Sequence, residues 1–132
     1  MRTRKIAPSE HQMQVAVVDW CRWNAGKYKC LDIVYATPNA APRATFTGYR
    51  MVKEGMLKGV PDLCLPKQSG GYGALYIEMK TPKGKITGDQ IKTMNRLREE
   101  GNLAVVCFSV QDAIETILTY LNLDNHENKV RS

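Results

Sequence analysis

The sequence predicts an α/β fold, a mixed β-sheet flanked by α-helices in the order α-β-β-β-α-β-α. Three observations predict it. Two segments open on capping-box patterns, Ser9 with Gln12 and Thr87 with Gln90, and continue with apolar residues at helical spacing. A Gly-rich stretch, Ser69-Gly70-Gly71, separates two short apolar runs as a hairpin turn does. A strongly apolar run, Leu103 to Phe108, then stands between the second helix and a third amphipathic stretch. Strands and helices in this order make a mixed sheet with helices packed against it.

The first helix is expected from about Ser9 to Ala25, with Gly26 as its C-terminal cap. Met13, Ala16, Val17, Trp20 and Cys21 form its inner stripe, and Glu10 sits at the N-terminal end of that side. Leu31 to Ala36 reads as a strand. Pro38, Pro42 and Gly48 mark a loop, followed by a short helix from Tyr49 to Lys53 that ends at Gly55. VPDLCLP and ALYIEMK read as the two arms of the hairpin. Asp62 and Glu78 are equidistant from Gly70, so a symmetric hairpin sets them nearly opposite each other. Alternation along the strand then puts Glu78 and Lys80 on one face and Leu75, Ile77 and Met79 on the other. After Thr87-Gln90, Ile91, Met94 and Leu97 give the second helix its inner face and Gly101 caps it. The last helix runs from about Val110 to Leu121, with Ile114, Ile117, Leu118 and Leu121 inward, before a polar tail over 124–132.

A length of 132 residues suits one domain, with its core over about 9–121. Lys and Arg number 19 against 13 Asp and Glu, a net charge of +6 that favours a polyanionic partner, nucleic acid first. No apolar run approaches the roughly 20 residues of a membrane span, and the basic N-terminus lacks the apolar region of a signal peptide. Cys21, Cys30, Cys64 and Cys107 form no C-x-x-C pair. They read as reduced thiols filling the core of an intracellular protein, and a structural zinc site is not expected.

Two like charges facing each other in a hairpin are destabilising unless something lies between them. A divalent cation reverses the repulsion, because it favours both ionised forms. Mg²⁺ takes hard oxygen ligands and keeps several waters, so Asp62, Glu78 and the main-chain carbonyl of Met79 suffice to hold it. Glu10 would bind through water or occupy a second metal position. Lys80, held close by strand alternation, would orient the attacking water or meet the charge developing on a phosphate. The reaction this suits is metal-assisted phosphodiester hydrolysis. Arg43, Arg50, Lys53 and Lys58 before the hairpin, and Lys83 and Lys85 after it, are the candidate DNA contacts.

Each piece has an ordinary explanation. Asp beside Pro is a common turn residue, and E-x-K is a common solvated face. Glu10 suits the helix dipole, Gln90 a local cap, and the basic residues a wet surface. Trp20 and Trp23 read as packing residues rather than base-stacking platforms. The ordered set is far rarer than any one member.

Gly59-Val-Pro-Asp62, then Ile77-Glu78-Met79-Lys80, then Gln90, resembles the PD-(D/E)xK nuclease superfamily, and within it the stand-alone VRR-NUC domain common in bacteriophages. The resemblance extends from Glu10 to Phe108. It implies a restriction-endonuclease-like core dependent on Mg²⁺, with Mn²⁺ as a substitute. It implies metal binding by Asp62 and Glu78, assistance to the nucleophile by Lys80, completion of the acidic site by Glu10, and a supporting or phosphate-contacting role for Gln90. It also implies a homodimer acting on branched DNA such as four-way junctions, in keeping with repair, recombination or phage genome processing. Two other readings stand beside this one. One is a restriction-type or exonucleolytic enzyme on linear duplex, and the other is a nucleic-acid-binding module whose nuclease site is inactive.

Overall fold

The computed structural model describes residues 6–38 and 50–125. Helix α1 (Glu10–Trp23) leads through a 3₁₀ turn (Lys29–Ile33) to strand β1 (Tyr35–Ala36). A helical turn over 50–53 precedes β2 (Leu63–Leu65) and β3 (Leu75–Met79). Helix α2 (Gly88–Glu99), strand β4 (Leu103–Cys107) and helix α3 (Val110–Leu121) complete the order. The sheet runs β1-β2-β3-β4, antiparallel across the first three strands and parallel between β3 and β4. This is the expected mixed sheet and order of elements.

The hairpin has the register that the symmetry about Gly70 predicts. Leu63 pairs with Ile77, Cys64 with Tyr76 and Leu65 with Leu75, so Asp62 falls opposite Glu78. Its tip is a two-residue turn closed by Ser69 and Tyr72. Gly70 and Gly71 both have positive φ, +58° and +85°, which a turn matching the twist of the strands requires. The tip is fastened to the end of α3. Ser69 Oγ donates to the Tyr120 carbonyl, Tyr120 Oη donates to the Lys67 carbonyl, and Gly70 N–H donates to Asp124 Oδ1 at 2.8 Å. A Cβ on Gly70 would come within 2.6 Å of Leu123, so the backbone lies directly on that side chain.

Alternation divides the sheet. Leu63, Leu65, Leu75, Ile77, Met79 and Cys107 face a core closed by Met13, Val17 and Cys21 of α1 and by Ala113, Ile117 and Tyr120 of α3. Glu78 and Lys80 face the other way, where α2 packs. Cys21, Cys64 and Cys107 are buried and all four cysteines are free thiols, as a reduced core requires.

Several local expectations give way. Helix α1 stops at Trp23 with Asn24, not Gly26, as its cap, because the Asn24 carboxamide donates to the Trp20 carbonyl. Ala16 is exposed, so the buried stripe is Met13, Val17 and Cys21. Trp23 is not a packing residue, being 86% exposed. Of the strand expected over 31–36, only Tyr35 and Ala36 pair. The Arg22 guanidinium donates to the carbonyls of Leu31, Asp32 and Val34, which holds the chain in a tight turn instead. On α2 the phase is set by Gln90 facing Glu78, so Thr93 and Met94 are buried and Ile91 is half exposed. On α3, Ala113 and Tyr120 join Ile117 inside, while Ile114, Leu118 and Leu121 are only half-buried. Arg43, the loop markers Pro42 and Gly48, Tyr49 and the tail from 126 lie outside the described residues.

Candidate active site

Asp62 is placed by the chain entering β2. Gly59 takes φ +79°, and a Cβ there would fall 2.2 Å from the Asp89 carbonyl oxygen, so only glycine lets this backbone lie against the start of α2. Thr37 fastens the next residues. Its N–H donates to the Asp62 carbonyl at 2.8 Å and its hydroxyl to the Pro61 carbonyl at 2.6 Å. The Asp62 carboxylate then accepts the Met79 N–H at Oδ2, 2.8 Å away. Amide and carbonyl of one strand residue point to the same edge, so the Met79 carbonyl also faces the Asp62 side. The Met79 side chain is buried on the opposite face, in the core.

Glu78 is 3% exposed and Lys80 is 8% exposed, so the E-x-K pair is not a solvated face. Lys80 lies one residue past β3, but its N–H donates to the Cys107 carbonyl at 3.0 Å. That bond carries strand geometry far enough to turn the ammonium toward Glu78, with Nζ 3.9 Å from Oε1. The same Oε1 accepts Gln90 Nε2 at 2.9 Å. Gln90 therefore caps α2 and reaches the site at once. Glu10 opens α1 behind the Ser9–Gln12 capping box. The turn over 81–84 closes against it, since a Cβ on Gly84 would lie 3.4 Å from Glu10 Oε1.

Glu10, Asp62, Glu78, Lys80 and Gln90 line one cavity of about 450 Å³. Lys58 joins its wall. Arg50, Lys53, Lys83 and Lys85 are not part of that wall, and Arg50 and Lys53 stand fully on the surface. Arg50 pairs with Glu54 at 3.2 Å on the helical turn over 50–53. Sequence reasoning missed Thr37, Thr87 and Asp89 in the cavity wall, and Thr93 behind it, whose hydroxyl donates to the Lys58 carbonyl at 2.7 Å. The sequence signals for the Thr87–Asp89 part were present: the helix cap adjoining Gln90 and the glycine of GVPD.

The electrostatics are those of crowded acids. Burial pushes the Glu78 carboxyl up to about 8, helped by the charge of Asp62 and opposed by Lys80. Burial also raises Asp62, against the Met79 N–H and the hydrogen bond with Glu78, with Glu10 raising it further. Among the described residues, four acids, Glu10, Asp62, Glu78 and Asp89, share the cavity with two cations, Lys58 and Lys80, in a chain of net charge +6. Hard oxygen donors with excess negative charge suit a divalent cation such as Mg²⁺. Among the described residues no three acid, His or Cys side chains gather closely enough to hold an ion by themselves. The fit is therefore to the Asp62–Glu78 pair with main-chain oxygen and water, and Glu10 stands outside that group. No described helix is long and apolar enough to cross a membrane.

A solved structure of a VRR_NUC domain protein is similar to this one, with a TM-score of 0.77 and 25% identity over 90% of this chain and 93% of that chain. No curated protein matches. The family model for the VRR-NUC domain matches residues 2–111, from before Glu10 to past β4, and the chain belongs to that family, with a nuclease-type fold.

Proposed function

We propose that the protein is a divalent-metal-dependent deoxyribonuclease that hydrolyses phosphodiester bonds, preferentially in branched DNA, and that it works as a homodimer. The observation that carries this reading is the convergence of Asp62, Glu78, Lys80 and Gln90 on one cavity through the hairpin register. Family membership supports nuclease chemistry and DNA as the partner. The preference for branches and the dimer rest on the resemblance of the motifs to stand-alone members. Two symmetric cuts call for two sites related by a two-fold axis.

A Mg²⁺ ion held by Asp62, Glu78 and the Met79 carbonyl would supply positive charge at the scissile phosphate and acidify the attacking water. The residues do the rest. Gln90 fixes the Glu78 carboxylate by donating to Oε1. Lys80 directs its ammonium at the same group, where it orients the water and meets charge developing on the phosphate. Glu10, across the cavity, holds water by hydrogen bonds or serves a second cation. Lys58 draws the phosphodiester toward the wall, and Arg43, Arg50, Lys53, Lys83 and Lys85 hold the flanking backbone.

Cleavage of duplex, flap and four-way-junction DNA with Mg²⁺ tests the reading. Cutting is expected, strongest on the junction, supported by Mn²⁺ and abolished by chelation. Asp62→Ala, Glu78→Ala and Lys80→Ala are each expected to remove activity while the circular dichroism spectrum stays native. Folded protein that cuts none of these substrates would overturn the proposal. Faster cutting of linear duplex than of junctions would favour the restriction-type alternative.

A further inference from the structure

We infer that Thr87 is a positioning residue for Glu78, acting through the orientation of the Gln90 carboxamide. The inference deepens the nuclease reading and rests on it for its effect on catalysis.

A glutamine side chain can turn either its oxygen or its NH₂ toward a neighbour. Toward a carboxylate the two choices have opposite sign, because an amide oxygen would repel it. In α2 the choice is made at the helix cap. The Thr87 N–H donates to Gln90 Oε1 at 2.9 Å, which commits the oxygen to the helix end. Nε2 is thereby turned to Glu78 Oε1, 2.9 Å away. The Thr87 hydroxyl accepts the Gln90 N–H at 3.2 Å and holds the turn in which this happens. Gly59, packed on the Asp89 carbonyl and the Gln90 nitrogen, closes the other side. The capping box of α1 has the same bonds, with Ser9 N–H to Gln12 Oε1 at 2.9 Å, but Gln12 is exposed and the motif serves only its helix. At α2 the same motif also presents an acid. With Gln90 and Lys80 both directed at Oε1, neither of them engages Oε2. The outcome is a carboxylate with Oε1 fixed by Gln90 and Lys80, beside Asp62.

The test uses the full chain and three variants. Thr87→Val keeps the main-chain N–H but removes, at similar volume, the hydroxyl that holds the turn aiming it at Gln90 Oε1, Thr87→Ser keeps both, and Ser109→Ala removes the cap of α3, whose hydroxyl accepts the Asp112 N–H at 3.0 Å and which does not line the cavity. Thr87→Val is expected to lower kcat for DNA cleavage about tenfold with KM within about twofold, as loss of a supporting hydrogen bond does. Thr87→Ser should restore it. Ser109→Ala should lower the melting temperature as much as Thr87→Val and leave kcat unchanged. In metal-free protein, the Gln90 side-chain amide protons should exchange slowly in the parent and in Thr87→Ser, and quickly in Thr87→Val. Unchanged amide protection in Thr87→Val overturns the inference, as does a loss of kcat in Ser109→Ala equal to that in Thr87→Val. If the parent cuts no DNA, the function reading fails and the amide exchange alone decides this one.

Discussion

Glu78 has neighbours that pull its charge in opposite directions. Burial and Asp62 favour the neutral acid, whereas Lys80 and the Gln90 amide favour the carboxylate. In metal-free protein the acid is pushed up to about 8, against roughly 4.3 for an unfolded glutamate. The folded state therefore binds a proton that the unfolded state has lost across this range. Its stabilising effect is complete below the unfolded value and disappears as pH rises toward 8. Asp62, also raised, adds to the same trend. In the presence of chelator the melting temperature is thus expected to fall from pH 5 to pH 8, and Glu78→Gln should flatten that slope. If Mg²⁺ is held by the folded pair as proposed, it should restore stability at pH 8. A melting temperature independent of pH would contradict this account of the acids. Gly59 is the other residue under constraint. Gly59→Ala places a methyl on the Asp89 carbonyl at a backbone angle alanine disfavours. It should cost about 2 kcal/mol or more in urea unfolding and weaken Mg²⁺ uptake measured by titration calorimetry.

Among the elements, the hairpin leans on a distant helix. Its paired arms are short, three residues in β2 and five in β3, and a one-residue slip would move Asp62 away from Glu78. Its tip is held by Ser69, Lys67 and Gly70 against Tyr120, Leu123 and Asp124. Tyr120→Phe removes the donor to the Lys67 carbonyl and is expected to destabilise by about 1–3 kcal/mol in urea titration. A wild-type midpoint would show that the tip stands unaided. The register of the arms was legible as symmetry about Gly70, although the tip, which pairs Ser69 with Tyr72, lies one residue off that symmetry. The attachment to α3 was not, because it joins residues 51 to 54 apart through two hydroxyls and a carboxylate whose partners no periodicity encodes. The strand expected from Leu31 failed for a related reason. Its apolar pattern was real, but a guanidinium nine to twelve residues earlier competes for its carbonyls. On helix α2 the expectation held at Met94 but failed at Ile91, since the contact between Gln90 and Glu78 turns Thr93 inward instead. Asp62, Glu78 and Lys80 were readable because hairpin symmetry and strand alternation place them. The threonines around them were not, because their roles need tertiary partners.

Across the whole molecule, charge is divided unevenly. Net charge is +6, yet the cavity gathers four acids with two lysines. Outside it, Lys83 and Lys85 stand within a few residues of Lys80. Such a surface would bind a phosphate backbone by releasing its counterions, with affinity falling steeply in salt. Replacing both Lys83 and Lys85 by alanine is expected to reduce the slope of log affinity against log salt by about 2, roughly 0.9 for each phosphate no longer neutralised. Fluorescence anisotropy with a junction in the absence of divalent metal measures it. A slope unchanged by the double substitution would remove those lysines from the DNA interface.

The fastening of the hairpin tip has a consequence for biosynthesis. A nascent chain holding only the two arms lacks the side chains that anchor their tip. Tyr120, Leu123 and Asp124 emerge from the ribosome some fifty residues later. The tip is therefore fastened late, only once the last helix has been made.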